Sequence, residues 1–484
     1  MGKPLKVGII GCGAIIAQYL ASFRKLEQID LVAVADLDPA RAQAVADDYE
    51  GVRALSVEEL LAADDVELVL NLTIPAAHAE VALKAIAAGK SVYGEKPLAA
   101  TTAEARQVLD AAREAGVAVG CGAIIAQYLT NFRKLKDIEL VAVADLDPAR
   151  AQAVAEQYEG VRAVSVDELL AADDVELVLN LTIPAAHSQV ALKAIAAGKS
   201  VYGEKPLAAT TAEARQVLDA AREAGVAVGC APDTVLGTGI QTARKAIDDG
   251  LIGAPISASA TMVTPGHERW HPNPDFYYQP GGGPLLDMGP YYVTALVTLL
   301  GPVVSVVGAA SHTRNERTIG SGARQGETVP VDIDSHVTGV LVHASGALST
   351  LFMSFDAVKS KSPNIEIHGE RGSLAVPDPN HFDGEVQLFS LGADTWVPLP
   401  VSAGYVDAGR GFGIADLAST PDGAEPRAGG TLAYHVLEVM ESVLESAHSG
   451  SAVRINSTVD RPGSVELTVL ADEMDSLQAQ EAAS

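Results

Sequence analysis

Cysteine, aromatic residues and positive charge are all scarce in this 484-residue chain. The three cysteines, Cys12, Cys121 and Cys230, stand 109 residues apart. That spacing indicates neither a disulfide framework nor a metal site, and so sparse a set favours a reducing compartment. The formal net charge of −28 argues against a nucleic-acid or anionic-membrane partner, because phosphate binding needs clustered Lys and Arg.

Long hydrophobic runs are also lacking. No stretch approaches the roughly 18 apolar residues that a membrane span needs. The apolar run near the N-terminus breaks at Gly11, which makes it too short for the core of a secretion signal. From composition and runs together we expect a soluble, cytoplasmic protein.

What the chain does have is a long internal repeat. Residues 12–120 (copy one) recur without a gap as residues 121–229 (copy two), and eleven positions differ between them. The period is far longer than the 20–50 residues, roughly, of a solenoid unit. It has the size of a domain, so each copy is expected to form a folded unit.

Each copy alternates short β-branched runs with helical patterns, which predicts a doubly wound, mostly parallel α/β sheet. In copy one, Gly11 and Gly13 form the turn between the first strand and a helix, where backbone amides can meet a pyrophosphate. Asp36 ends the second strand and is placed to bind a ribose diol, so NAD is favoured over NADP. Ile16 stands where a small residue is usual, which weakens the motif taken alone. The corresponding residues 109 positions later are Gly120, just before copy two, and Gly122 and Asp145 within it.

Several motifs together resemble the glucose-fructose oxidoreductase/inositol dehydrogenase/MocA family. They are Gly11-Cys12-Gly13, Ala35-Asp36, Thr73-Ile74-Pro75, His78, Glu95-Lys96-Pro97 and the run from Gly281 to Tyr291. The resemblance covers the whole chain once one repeat is removed. It implies a Rossmann domain followed, from about Ala231, by an α+β domain with an open, mostly antiparallel sheet. It also implies NAD, a sugar, inositol or related polyol as substrate, and a homo-oligomer (dimer or tetramer).

The resemblance further assigns Lys205, Asp287 and Tyr291 to catalysis. The four-residue spacing of Asp287 and Tyr291 predicts that both lie on one helical face. Asp233, Trp270 and His271 are substrate-contact candidates, although the last two could equally be loop packing. We expect no metal, because the histidines lack a short-spaced ligand pair. The implied cofactor residues are Gly120, Gly122, Ala123, Ile124, Asp145, Thr182, Pro184, Glu204 and Lys205, with Gly11, Gly13, Asp36, Glu95 and Lys96 of copy one.

The junction between the copies allows two arrangements. The segment 117–120 could close the sheet of copy one or open that of copy two. Because losing an edge strand should cost less than losing a central one, we predict that it joins copy two and leaves copy one with a shortened sheet. The predicted domains are residues 1–116, the catalytic NAD-binding domain 117–230, and the substrate and oligomerisation domain 231–484. In the alternative, copy one pairs with the last domain and copy two is an insertion.

The leading hypothesis is an NAD-dependent oxidoreductase that moves a hydride between nicotinamide and a carbinol carbon. Two further functions remain open. Some proteins of the resembled family are redox-neutral glycosidases or lyases that oxidise the substrate transiently, and others bind NAD only to regulate.

Overall fold

The structure is a computed structural model of the chain. It describes residues 5–12, 16, 20, 29–49, 51–73, 75–94, 119–121, 124–132, 134–135, 138–145, 148–158, 160–182, 184–271, 273–321, 324–421 and 424–468. Within these ranges, no helix is long and apolar enough to cross a membrane.

The first unit is a six-stranded parallel sheet in the order β3-β2-β1-β4-β5-β6. Its strands are β1 (Leu5–Ile10), β2 (Ile29–Ala35), β3 (Arg53–Leu55), β4 (Leu68–Asn71), β5 (Ser91–Gly94) and β6 (Val119–Cys121). Its described helices are α1 (Pro39–Asp47), α2 (Val57–Ala62) and α3 (Pro75–Ala87). Two apolar clusters lie against β1, β2 and β4. The predicted doubly wound parallel fold is confirmed.

Strand β6 shows that one prediction about the junction was wrong. Val119–Cys121 pairs in parallel with Ser91–Gly94, so it closes the sheet of copy one and does not open that of copy two. The first unit therefore extends to Cys121, beyond the predicted boundary at residue 116. Gly120 lies inside this strand, opposite Tyr93, and not in the cofactor turn predicted for it.

The side chains of the two candidate first strands explain this outcome. In β1, Ile9 and Ile10 are fully buried at the centre of the sheet. The residues at the equivalent positions before copy two are Ala118 and Val119. A central strand is covered on both faces, so smaller side chains there bury less apolar surface and leave voids.

In the part of copy two that the structure describes, no strand takes the central place that β1 has in copy one. Its strands form two separate sheets, β7-β8 and β9-β10-β11, and among the described residues no strand connects β7 to β9. Leu179 of β9 is half-buried, whereas its counterpart Leu70 is 2% exposed. The strands are β7 (Ala142–Val143), β8 (Arg162–Ala163), β9 (Leu177–Asn180), β10 (Ser200–Gly203) and β11 (Val228–Cys230). The helices are α4 (Ile124–Phe132), α5 (Pro148–Ala155), α6 (Val166–Ala171), α7 (Pro184–Ala196) and α8 (Thr211–Ala224).

The C-terminal domain is built on a nine-stranded sheet in the order β21-β20-β19-β18-β12-β17-β16-β13-β22. Only the β12–β17 pair is parallel among its described pairs, so the predicted mostly antiparallel sheet is confirmed. The strands are β12 (Pro255–Val263), β13 (Val303–Ser311), β14 (Glu316–Thr318), β15 (Thr328–Pro330), β16 (His336–His343), β17 (Leu348–Ser354), β18 (Ile365–Gly369), β19 (Gly372–Val376), β20 (Gln387–Ser390), β21 (Val397–Pro398) and β22 (Val453–Arg454). Strands β14 and β15 form a separate hairpin.

The C-terminal domain contains five described α-helices, of which the last packs both on this sheet and against α8 of copy two. They are α9 (Thr238–Asp248), α10 (Asp275–Tyr278), α11 (Pro284–Leu300), α12 (Phe412–Ala418) and α13 (Gly430–Ser449). One continuous apolar core includes Val201 and Val217 of copy two together with Leu296 and Val436. The Thr211 hydroxyl also donates to Glu441 at 2.7 Å. Copy two and the C-terminal domain therefore share a core.

Candidate active site

The site is centred on an ion pair between copy two and the C-terminal domain. The Lys205 ammonium lies 3.1 Å from Asp287 Oδ1 and donates to the Asp287 carbonyl at 2.7 Å. Both side chains are mostly buried, at 17% and 22% exposed. Lys205 follows β10 in a turn whose Lys205–Pro206 peptide is cis.

Helix α11 supplies both Asp287 and Tyr291. Gly283, with φ +94°, precedes the helix in a conformation that a side chain would strain, and Pro284 fills the first helical position. Asp287 therefore lies in the first turn, where the helix dipole favours a carboxylate. Tyr291 follows one turn later on the same face, with its ring centroid 5.3 Å from Lys205 Nζ.

The electrostatic surroundings keep Lys205 protonated. Burial alone would lower its pKa, but the charges of Asp287, Tyr291 and Glu204 and the hydrogen bond to Asp287 outweigh burial and raise the pKa above its usual value. At neutral pH the side chain is an ammonium, which has three donor protons. Two of them reach Asp287, so the group serves as a donor and not as a base.

A buried histidine connects the Lys205 turn to the loop after β9. His187 Nδ1 lies 2.6 Å from the Pro206 carbonyl oxygen, and its Nε2 lies 3.0 Å from that of Thr182. The Thr182 hydroxyl donates to Asn180 Oδ1 at 2.7 Å. Thr182 and Pro184, two predicted cofactor residues, are exposed at the surface of this loop.

Glu204 joins the same turn to helix α4. Its Oε1 accepts from the Tyr128 hydroxyl at 2.8 Å, and its Oε2 lies 3.3 Å from the backbone N–H of Lys205. Tyr128 is fully buried, and burial together with Glu204 raises the pKa of its phenol well above the usual value. In this structure the Glu204 carboxylate therefore positions the Lys205 turn.

The prediction that Asp233 faces the substrate was wrong. Asp233 is 0% exposed, and its Oδ2 accepts from the backbone amides of Gly411 and Gly413 at 2.9 and 3.0 Å. Burial raises the pKa of Asp233 to about 6, although the two amides and Arg410 oppose that shift. Buried carboxylates seek backbone donors in this way, so its role is to hold the loop that leads into α12.

Aromatic side chains lie beside Asp287. His267 Nδ1 is 3.8 Å from Asp287 Oδ2, and burial lowers the pKa of His267, which favours the neutral ring. Trp270 is 52% exposed, with its ring centroid 5.2 Å from that of His267. His271 Nδ1 accepts from the Asn273 amide and its ring meets Tyr277 edge-on. Sequence reasoning favoured Trp270 and His271 in this loop, but the structure brings His267 nearest to the ion pair.

A buried arginine supports the aromatic loop from behind. Arg317 is 2% exposed and pairs with Glu268, at 3.1 Å, and with Asp356. Glu268 also accepts from the Tyr278 hydroxyl. Because Glu268 follows His267 directly, this network fixes the position of the histidine.

Copy one carries features that fit a dinucleotide. Gly11 has φ +106°, and a Cβ there would lie 2.6 Å from the Leu72 backbone. Asp36 accepts from the Cys12 and Asp38 amides at 2.7 and 2.9 Å, which leaves lone pairs for ribose hydroxyls. A glycine turn beside a carboxylate at the next strand end is the donor and acceptor set that NAD requires.

The equivalent features of copy two are only partly described. Asp145 follows β7 and is half-buried. Ile124 begins α4, which packs beside the Lys205 turn through Tyr128. Gly13, Glu95, Lys96, Gly122 and Ala123 lie outside the described residues.

Comparison with known proteins agrees with this architecture. A family model described as "Oxidoreductase family, NAD-binding Rossmann fold" matches twice, over residues 5–119 and 115–231. A second model, "GFO/IDH/MocA C-terminal domain", matches residues 240–375. The chain belongs to the GFO/IDH/MocA oxidoreductase family. The resemblance inferred from the motifs is confirmed, as is an NAD-binding fold.

Relatives of this oxidoreductase carry names of sugar enzymes. It is 28% identical over 346 residues to 1,5-anhydro-D-fructose reductase of Ensifer adhaerens, covering 70% of this chain and 98% of that protein. It is 27% identical to D-apiose dehydrogenase of Paraburkholderia graminis, covering 73% and 94%. An inositol 2-dehydrogenase of Rhizobium meliloti is 29% identical, covering 50% and 68%.

Solved structures share the fold of the oxidoreductase. An oxidoreductase domain protein from Kribbella flavida has a TM-score of 0.57 at 22% identity, covering 69% of this chain and 96% of that one. A levoglucosan dehydrogenase in complex with NADH and levoglucosan has a TM-score of 0.52 at 22% identity, covering 65% and 90%.

Proposed function

We propose that the oxidoreductase transfers a hydride between NAD and a carbinol carbon of a sugar, inositol or related polyol. The observation that carries this proposal is the contact of Lys205 with Asp287, beside Tyr291, in a partly buried site. Bound nicotinamide supplies the hydride acceptor or donor. The names of the relatives, a sugar reductase and sugar and inositol dehydrogenases, support the substrate class.

The residues of this chain then have separate tasks. Lys205 donates its third proton to the substrate oxygen and so holds the reacting carbon in place. Tyr291 exchanges the hydroxyl proton: it gives a proton to a carbonyl oxygen in reduction, and its phenolate takes one from the hydroxyl in oxidation. The exposed Trp270 lies beside the buried His267, and its aromatic ring suits the apolar face of a sugar.

We propose further that copy two is the catalytic NAD-binding unit, because Lys205 and Glu204 belong to it and its core continues into the C-terminal domain. In this assignment Asp145 binds the ribose for turnover, assisted by Thr182, Pro184, Gly122 and Ala123. A carboxylate at Asp145 repels a 2′-phosphate, so NAD is preferred to NADP.

The outer face of the C-terminal sheet supports a homo-oligomer. Val307 and Val340 lie directly opposite each other on β13 and β16, and they are 50% and 38% exposed. Paired apolar side chains on an open sheet are typical of a surface that another subunit covers. Sedimentation velocity on the wild-type chain tests this: a monomer at micromolar concentration rules the proposal out.

The function is tested by following NADH absorbance with a panel of polyols, anhydrosugars and inositols. We expect Lys205→Met to lower kcat by on the order of 10²–10⁴-fold, because a positioned donor contributes about that much. Lys193→Met removes an exposed lysine from α7 and is the matched control, expected to retain full activity. If Lys205→Met turns over a polyol as fast as the wild type, the assignment of this site is wrong.

A further inference from the structure

Arg410 reaches the site from a loop that no sequence motif indicated. It lies in residues 399–411, between β21 and α12, one residue before Gly411. Its Nη2 donates to the Tyr291 hydroxyl oxygen at 3.0 Å, and its Nε donates to Gln127 Oε1 at 2.9 Å. Its Nη1 lies 3.8 Å from Glu204 Oε1. One guanidinium therefore contacts α11, α4 and the Lys205 turn.

The chemistry of this contact determines how Tyr291 is hydrogen-bonded. A guanidinium has five donor hydrogens and no acceptor, so the phenol oxygen must accept from Arg410. The proton of Tyr291 must therefore point away from Arg410. Lys205, the other cation beside the ring, is also a pure donor and holds Asp287. Among the described residues no hydrogen bond donated by the Tyr291 hydroxyl is found, and a substrate oxygen next to Lys205 would be its acceptor.

The Arg410 loop is anchored on both sides. Behind it, Asp233 binds the amides of Gly411 and Gly413, as described above. In front of it, Asn131 Nδ2 of α4 donates to the Arg410 carbonyl at 3.2 Å. Asn131 is one of the eleven positions at which the copies differ, and copy one has Ser22 there. The contact with the Arg410 carbonyl uses the side-chain amide of Asn131, which copy one does not have at the equivalent position.

We propose that Arg410 is a positioning residue that acts through Tyr291, fixing the phenol so that its proton faces the substrate oxygen. The inference rests on the proposed function of the site. The same guanidinium stabilises the negative charge left on the phenol oxygen when it gives its proton to a carbonyl. In the oxidation direction the phenolate oxygen, held by Arg410, receives the proton of the substrate hydroxyl. In each direction one proton passes between the substrate oxygen and the Tyr291 oxygen, and Arg410 stays protonated throughout.

The first test is a double-mutant cycle in the full chain, measured with a polyol that the wild type oxidises. We expect Arg410→Gln to lower kcat by on the order of 10²-fold, as removal of one preorganised donor does, while the KM for NAD changes little. Arg410→Lys should recover part of the loss. In the Tyr291→Phe background, Arg410→Gln should have almost no further effect, because interacting groups are non-additive. A full additional loss in that background would overturn the proposal.

The chain contains a matched control for this pair. Arg215 Nη2 donates to the Tyr434 hydroxyl at 3.0 Å, the same contact at the surface and away from the site. Arg215→Gln is therefore expected to leave kcat unchanged. If Arg215→Gln and Arg410→Gln lower kcat equally, loss of an arginine–tyrosine contact acts through folding in both variants. That result would contradict the proposal.

A second readout does not depend on turnover. In protein labelled with ¹³C at tyrosine Cζ, the Tyr291 resonance is identified by its absence in Tyr291→Phe. We expect Arg410→Gln to shift this resonance, Arg410→Lys to shift it less, and Arg215→Gln not to shift it. If no polyol is oxidised but the resonance responds in this way, the proposed function fails and the contact stands. An unmoved resonance in Arg410→Gln overturns the inference itself.

Discussion

Asp233 should destabilise the folded protein at neutral pH, and Asp233→Asn should relieve that effect. The carboxylate is fully buried, and its pKa is raised from the usual 3.8 to about 6. The folded state therefore binds the proton more tightly than the unfolded state does. The stability that this group contributes is complete below pH 3.8 and is lost as the pH rises through 6.

The size of this effect follows from the shift. A shift of about two pKa units changes the free energy of unfolding by roughly 3 kcal/mol between a pH well below the unfolded pKa and a pH well above the folded one. In Asp233→Asn the side-chain oxygen can still accept from the amides of Gly411 and Gly413. The new NH₂ group replaces Oδ1, which has no hydrogen-bond partner among the described residues. The variant should therefore gain stability relative to the wild type as the pH rises from 4 to 7.

The assay is thermal unfolding of both proteins by calorimetry at several pH values between 4 and 7. Copy two and the C-terminal domain share a core, and for a unit of about 350 residues roughly 3 kcal/mol corresponds to about 4 °C in Tm. Asp416→Asn is the comparison, because its buried carboxylate is paired with Arg427. That variant leaves an unpaired guanidinium and should be less stable at every pH. A Tm difference between Asp233→Asn and wild type that stays constant from pH 4 to 7 would refute the reasoning.

Two further predictions concern the aromatic loop and the two copies. Arg317→Met leaves its two buried carboxylate partners unpaired and should lower the stability by about 3–5 kcal/mol. Arg324→Met removes the half-exposed ion pair with Asp275 and should lower the stability by at most about 1 kcal/mol. Equal decreases of Tm in the two variants would contradict this prediction. If copy two supplies the cofactor for turnover, Asp145→Arg should abolish activity, whereas Asp36→Arg should leave it intact. Calorimetric titration with NAD shows which site each change removes, and loss of turnover in Asp36→Arg alone would reverse the assignment.

The C-terminal sheet could be predicted closely because its strands alternate between a buried and an exposed face. β-branched and apolar runs in the sequence predict strands at residues 256–262, 303–310, 337–342, 347–355 and 364–368. These ranges agree with β12, β13, β16, β17 and β18 to within one residue at each end. The contact of Asp287 and Tyr291 with Lys205 also followed from motifs and helical spacing.

Other features lay beyond the sequence for identifiable reasons. The fate of Val119–Cys121 could not be predicted from local pattern, because nearly identical copies present the same pairing partners to it. The two candidate first strands differ in their side chains: β1 has the buried Ile9 and Ile10 where the junction segment has Ala118 and Val119. Arg410 stands 119 residues after Tyr291 in a glycine-rich loop, and only the folded chain brings the two together. The substrate role of Asp233 was implied by the family resemblance, and that resemblance does not show that its carboxylate turns inward to the amides of Gly411 and Gly413 in this chain.

The boundaries of the duplication have a consequence for strand supply. The repeated stretch starts at Cys12, just after β1, so each copy encodes a turn, its helices and the later strands, but no first strand of its own. One junction segment must serve as the end of one sheet or the start of the next, and its backbone cannot do both. With two such units the chain contains one strand fewer than its two sheets require, and each further unit would add one more missing strand. If the junction segment completes the sheet of one copy, the sheet of the other copy is left one strand short, even though the two sequences are nearly identical.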